Sequence, residues 1–403
     1  MVEKGSEERL HALDAVRATA LLLGIVLHST MSYVPGITAM GWPIADSAQS
    51  ETLQVVFFVI HIFRMTTFFL IAGFFAHLLY HRRGLKEFLR NRRDRVLVPL
   101  IVWIGPLMLA VLATLAWALH LNPDSNIGHM DTMVRVHTPL VSFTWIHLWF
   151  LYILLLLYPL VLVLVLRYLL ARIDSSGFLR GQCDRLLQLM LRGRFAVSLL
   201  AVPIALMLWS VPDWLWWAGV PTPQYSLDPP LASLGIYFYV FTVGWVMHRQ
   251  RALLEHIKHA WLDNLIVGVC ATTLSLWILD GDTWINTARP GDTLAYALSY
   301  AIAMVNLSFA LMGLGLKLLN QELPLVRYLS DASFWMYLWH VPALMFWQCV
   351  FMMIEWPWPL EFSLTLFLTA LPLVITYDGF VRSTGLGAML NGRRSPRILL
   401  TKP

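Results

Sequence analysis

Charge is scarce in this sequence. Asp, Glu, Lys and Arg make up 13% of the 403 residues, while hydrophobic residues make up 58%; the charged share is about half that of an ordinary soluble domain. Such a chain has too little polar side-chain surface to coat a globule, which excludes a soluble fold. Cysteine is scarcer still. Cys183, Cys270 and Cys349 fall in one loop and two apolar runs, a pattern that fits neither a disulfide framework nor a zinc site. No metal site is expected. The sequence also lacks a Walker-type phosphate loop, a dinucleotide-binding glycine fingerprint and a CxxC pair, which argues against an ATP-driven pump or a redox enzyme. It shows no appended soluble domain, so any chemistry is expected in or at the membrane.

What the chain does have is apolar length. Ten runs are long enough to cross ~30 Å of hydrocarbon: 12–34, 52–80, 96–119, 146–170, 195–211, 231–248, 260–279, 293–317, 332–354 and 362–381. The expected fold is an all-α integral membrane protein with about ten transmembrane helices. It reads as a single domain over 1–403, with short tails at roughly 1–11 and 382–403. The N-terminal MVEKGSEERLH is too acidic and polar for a signal peptide, so the first run is expected to stay in place.

Of the 29 Lys and Arg residues, 25 fall on one side if loops alternate, leaving Arg135 and Arg289 opposite and Arg17 and Arg64 within runs. The opposite side carries acids instead, Asp46 and Glu361 among them. This bias predicts that both termini are cytoplasmic. The net charge of +5 then reports orientation and gives no reason to expect nucleic-acid binding.

The ionisable residues inside apolar runs are the candidates for function, because a charge at the centre of a span costs about 2.5–3.5 kcal/mol on insertion scales and is kept where it faces protein or a wet cavity. Arg17 and His28 lie eleven positions apart, three helical turns plus roughly 20°, so they share one face about 16 Å apart along the axis. Arg17 either snorkels to headgroups or binds an anion; His28 is either an interhelical contact or a reacting group. His61 and Arg64 lie three apart in the second run, where Arg64 either pairs with an acid on another helix or clamps a substrate anion. Gly73, among aromatics in FFLIAGFF, suits close approach of another backbone or of a ligand.

Arg92 and Arg95 close the basic stretch HRRGLKEFLRNRRDRVLVP and enter the next run, where a phosphate-bearing donor would need them. At the other edge His147 stands between Trp145 and Trp149, with His137 upstream. Half of the 18 tryptophans, Trp42 and Trp149 included, gather there, as an interfacial belt or as faces for sugar rings. In the ninth run Ser333, Tyr337 and His340 line one face, as a proton or hydroxyl row or as a polar seam between helices. Asp378 and Arg382 are spaced to pair.

Together these motifs carry a resemblance. Leu13-Asp14, Arg17-x10-His28, the FFLIAGFF end, Arg92/Arg95/Pro99, HLWFL at His147 and SFWMYLWH ending at His340 are similar, in order and spacing, to the membrane acyltransferase 3 family, over nearly the whole chain. Ala72 stands where many members have Ser, so no hydroxyl is required there. Within the family, the HSTMSYVPG segment resembles members that act on periplasmic glucans. The resemblance implies succinyl transfer from cytoplasmic succinyl-CoA, a co-substrate with no permanently bound cofactor, to osmoregulated periplasmic glucans across a bacterial inner membrane. It implies catalytic roles for His28, Arg17, His340 and Tyr337. Substrate contacts would come from Arg64, His61, Arg92, Arg95, Trp42, His147, Trp149 and Ser333. Direct transfer with His28 as base and transfer through an acyl-histidine both remain open, as do acetyl transfer to another surface polysaccharide and, from a different class, a proton-coupled transporter. Oligomeric state has no signature in the sequence.

Overall fold

The computed structural model describes residues 2–40, 42–121, 145–162, 176–193, 195–224, 226–279, 290–319 and 323–399, and all regular structure among them is helical. His137, Arg135 and Trp284 lie outside the described residues, as does the latter part of the fourth apolar run. The helices are α1 (Val2–Thr30), α2 (Glu51–Arg92), α3 (Val98–Leu121), α4 (Trp149–Pro159), α5 (Phe178–Arg192), α6 (Ala201–Trp209), α7 (Leu231–Arg249), α8 (Leu253–His259), α9 (Trp261–Leu279), α10 (Pro290–Leu318), α11 (Pro324–Phe351), α12 (Trp358–Thr376) and α13 (Gly385–Asn391).

Each of the ten apolar runs carries a helix. Among the described residues six helical stretches are long and apolar enough to cross a membrane: His11–Tyr33, Glu51–Leu121, Leu231–Arg249, Trp261–Leu279, Asp292–Leu318 and Trp358–Val381. The second is 71 residues long and merges two expected runs, α2 and α3, joined through a π-helical turn at Arg93–Leu97. It is not one straight rod. Gly84, at φ 74° and ψ 178°, leaves helical geometry in the middle of the basic stretch, a conformation that side chains with a Cβ rarely adopt. The fourth and fifth runs form shorter apolar helices, Trp149–Leu162 and Ala196–Trp209. Ser50 starts α2 as an N-cap, its hydroxyl accepting from the Leu53 amide, and Pro324 starts α11 within its first turn. Pro106, Pro342 and Pro372 sit inside helices, which a bundle in hydrocarbon tolerates because neighbouring groups satisfy the freed carbonyls.

α1 occupies the centre, packed on α2, α10, α11 and α12. Around the periphery Leu109, Ile101 and Trp277 stay largely exposed, an apolar outer surface suited to lipid. α2 and α7 approach each other closely at two glycines. A Cβ on Gly73 would run into the Phe241 carbonyl, and one on Gly244 would run into the Leu70 carbonyl, so each glycine admits the backbone of the other helix. Gly73→Ala or Gly244→Ala should therefore force the two helices apart, at about 1–3 kcal/mol each. Thermal unfolding of the purified protein in detergent checks this; an unchanged melting temperature in both variants would show that the contact relaxes freely.

Candidate active site

The continuous α1 helix carries Arg17 and His28 on one rigid rod, and the two ends of that rod meet different surroundings. At the His28 end, α1, α2, α4 and α11 enclose a small cavity lined by Leu21, His28, Arg64, Met65, Phe68, His147, Trp149, Phe150 and Tyr337. The His28 ring lies 5.3 Å from the His340 ring, and the His147 ring is 4.9 Å from His340 and 5.1 Å from Tyr337, measured between centroids. Trp42 covers His28 from the far side, stacked at 5.8 Å and 19°.

Hydrogen bonds decide which ring nitrogens are free to react. His340 Nδ1 lies 2.6 Å from the Tyr337 carbonyl; a carbonyl only accepts, so Nδ1 carries the proton and Nε2, buried and unpartnered, presents a lone pair. His28 Nδ1 lies 3.2 Å from the Met31 sulfur, a weak acceptor, which leaves its Nε2 likewise basic. The Tyr337 hydroxyl donates to the His147 carbonyl at 2.8 Å and so spends its proton on holding the turn that carries His147. In that turn Ile146 takes φ 53°, strained for a β-branched residue. Both His147 ring nitrogens are without partners among the described residues.

Arg64 is 8% exposed, and no described acid pairs with it. Its Nε has no partner among the described residues, and the phenols of Tyr337 and Tyr237 and the imidazoles of His28, His61, His147 and His340 lie within its electrostatic reach. Room for the guanidinium comes from Gly24, one helical turn before His28: a Cβ there would collide with Arg64 Nη1 and come within contact of His340 Nε2. Gln348 fixes the other side. Its amide donates to the His28 carbonyl at 3.0 Å and accepts from the Trp42 indole at 3.2 Å.

The other end of α1 is basic. Arg17 pairs with Asp14 at 3.1 Å, half-exposed, with its guanidinium 5.7 Å from the Phe75 ring centroid. Arg92 donates to the Tyr158 hydroxyl at 3.1 Å and to Asn91, and sits over the Phe88 and Tyr158 rings. Arg95 donates to the Asn391 carbonyl at 2.9 Å and lies within electrostatic reach of Arg92, Arg17 and Arg83. Here α13 and the tail close the wall. Arg382, expected to pair with Asp378, is directed to Asp331 at 3.7 Å and to the Pro396 carbonyl, while Asp378 accepts the Ile398 and Leu399 amides. The cause is a π-helical turn over Tyr377–Val381, which shifts residues four apart off a common face.

Of the residues expected at a site, the structure gathers His28, Arg64, His147, Trp149, Tyr337, His340 and Trp42 in or around one chamber, and Arg17, Arg92 and Arg95 at the other end. His61 stacks on Phe57 at 5.4 Å and faces the turn at Gly219, outside the cavity lining. Ser333 bonds the Ser330 carbonyl of its own helix and takes no part in the chamber. Sequence reasoning missed Gly24 and Gln348. Each left a signal: a glycine one turn before an intramembrane histidine, and a lone amide in an apolar run.

The acyltransferase domain family matches residues 10–378. Among curated relatives, the glucans biosynthesis protein C of Escherichia coli strain K12 and that of Shigella dysenteriae serotype 1 are each 24% identical over 353 residues, covering 84% of this chain and 83% of the relative. No solved structure matches.

Gly24→Ala is the least invasive way to disturb the chamber. It should displace Arg64 and lower acyl transfer at least tenfold while the helix, gaining about 1 kcal/mol of propensity, stays formed by circular dichroism. Retained transfer in a folded variant would show that Arg64 need not lie against α1.

Proposed function

Because the chain belongs to the acyltransferase domain family, we propose that it is a membrane O-acyltransferase that moves a succinyl group from succinyl-CoA, bound at the arginine end, to hydroxyls of a periplasmic glucan admitted at the His28 end. The reading places the arginine end and both termini in the cytoplasm and the protein in a bacterial inner membrane. One observation carries it. A single helix sets a cluster of arginines about 16 Å along its axis from a buried chamber of imidazoles holding an arginine with no described acid partner.

In this mechanism Arg17, Arg92 and Arg95 hold the donor phosphates as charge-assisted forks, and the thiol arm extends along α1 toward His28. His28 Nε2 takes the proton of the acceptor hydroxyl as its oxygen attacks the thioester carbonyl. Arg64 donates to the oxyanion that forms, or holds the free carboxylate of the succinyl group, for which its planar fork is matched. The intermediate collapses, the carbon–sulfur bond breaks, and the thiolate takes the proton from His28. Net proton balance is zero. In the variant route His28 Nε2 attacks first and carries the acyl group. Trp42 and Trp149 offer aromatic faces to the approaching sugar. The name of the relatives supports a glucan acceptor, and the charge of Arg64, with no acid partner among the described residues, supports an anionic acyl group.

His28→Ala should abolish glucan esterification while labelled CoA still binds; near-normal ester formation would overturn the assignment, and acyl label trapped on His28 would select the covalent route. Arg92→Gln and Arg95→Gln should each weaken donor binding by about 1–3 kcal/mol in titration calorimetry. Unchanged affinity in both would remove the arginine end from donor binding.

A further inference from the structure

Hydroxyls on the helices of this protein generally bond back to their own backbone. Thr19 donates to Ala15, Thr67 to Phe63, Thr242 to Phe238, Thr272 to Gly268 and Ser308 to Met304, the arrangement that lets a hydroxyl sit cheaply in an apolar bundle. Where the end of α1 faces α12, five hydroxyls depart from that pattern. There the Tyr33 hydroxyl meets those of Thr365 and Ser32, the Ser29 and Thr369 hydroxyls have no hydrogen-bond partner among the described residues, and none of these residues, nor Glu361, is more than 1% exposed. Glu361, Thr365 and Thr369 recur every fourth residue, a stripe about 12 Å long on one face of α12, opposite the last turn of α1. The Tyr33 ring meets Phe362 edge-on at 6.4 Å, so the two polar stripes face each other. Such a row makes a buried polar seam between the end of α1 and α12.

At the mouth of the seam the Asp46 and Glu361 side chains hydrogen-bond each other. Two carboxyl groups can do so only when one keeps a proton. Burial pushes the Asp46 carboxyl above its ordinary value, and the pair is anchored on both sides, Asp46 by the Ala48 amide at 2.8 Å and Glu361 by the Trp356 amide at 2.9 Å. Asp46 belongs to the segment 42–50, which starts with Trp42 stacked on His28 and is tied to the 3-10 turn Met31–Tyr33 after α1 by amides of Asp46 and Ser50 donating to the Ser32 and Tyr33 carbonyls, each at 2.8 Å.

We propose that the seam between the end of α1 and α12 holds one exchangeable proton, shared by Asp46 and Glu361, and that this proton latches the segment 42–50 over His28. The proton and the latch stand without the acyltransferase reading; only the consequence, control of acceptor access to His28, rests on it. The latch holds while the pair keeps its proton and is lost as pH rises and both carboxylates become charged. Tyr33, in the 3-10 turn Met31–Tyr33 that follows α1, faces the pair as a phenol, and Trp356 contributes its backbone. Exposed Glu51 and Glu355 on the flanking segments add negative charge that favours opening at high pH. Among the described residues α11 adds no titratable group to the pair.

Hydrogen exchange of the segment 42–50 in the purified full chain, corrected for intrinsic rates between roughly pH 5 and pH 9, tests this directly. Wild type should lose protection at least about tenfold across the range. Glu361→Gln, whose amide donates to Asp46 in place of the proton, should stay protected throughout, and Asp46→Ala should be open throughout. A flat wild-type profile, or a Glu361→Gln profile that follows wild type, would overturn the proposal. If Glu361→Gln fails to fold, Asp46→Asn makes the same substitution from the other side. The infrared carbonyl stretch of a protonated carboxyl should be present in wild type at neutral pH; its absence would also overturn the shared proton. Neither measurement involves substrate, so failure of the latch and failure of the acyl-transfer reading are separable.

Discussion

An arginine buried inside an apolar bundle, with no carboxylate beside it among the described residues, is the constraint to which the rest of the site answers. Arg64 cannot shed its charge and would be prohibitive on a lipid-facing surface. It is tolerated because α1 offers a gap at Gly24, because two phenols lie close, and because the cavity leaves its Nε free. These same features draw α1, α2, α4 and α11 together, and so bring His28, His147 and His340 within ring contact. A bundle closed around an internal ion pair would be more stable and would have no charge left to offer.

The second organising feature is the stiffness of α1. A helix that is unbroken from Val2 to Thr30 fixes the separation of its two polar sites, and its central place in the bundle sets one against the buried imidazoles of His147 and His340 and leaves the other half-exposed. On the proposed reading the separation matches the need of a reaction whose donor and acceptor come from opposite sides of a membrane. Elsewhere the helices are bent where chemistry needs it: Gly84 breaks the rod in the basic stretch, and the π-helical turns at Arg93–Leu97 and Tyr377–Val381 rotate Arg95 toward Asn391 and Asp378 toward the tail.

Much of this was legible in the residues. Each apolar run became helical, Gly73 does admit another backbone, and the eleven-residue spacing of Arg17 and His28 survives because the helix between them is regular. The lapses are equally physical. Ser333 shares a face with Tyr337 and His340 by helical period, yet its hydroxyl bonds its own backbone, an option period says nothing about. Asp378 and Arg382 were spaced to pair on an α-helix, and a π-turn moved them apart. Asp46 and Glu361, 315 positions apart by their numbers, read as two acids in two separate loops, and nothing local announces that they meet.

The sequence by itself therefore determined that the chain is helical and apolar, where its helices run, and which ionisable residues are held in apolar surroundings at a cost that asks for a reason. Those are local properties, carried by composition and by a repeat of 3.6 residues. Only the tertiary structure decided which of these residues share a chamber and which are spent elsewhere. Which way a helix faces is set by its neighbours, by contacts such as Gly73 on Phe241 and Gln348 on His28, and a one-residue bulge in a helix is enough to turn a side chain from one partner to another.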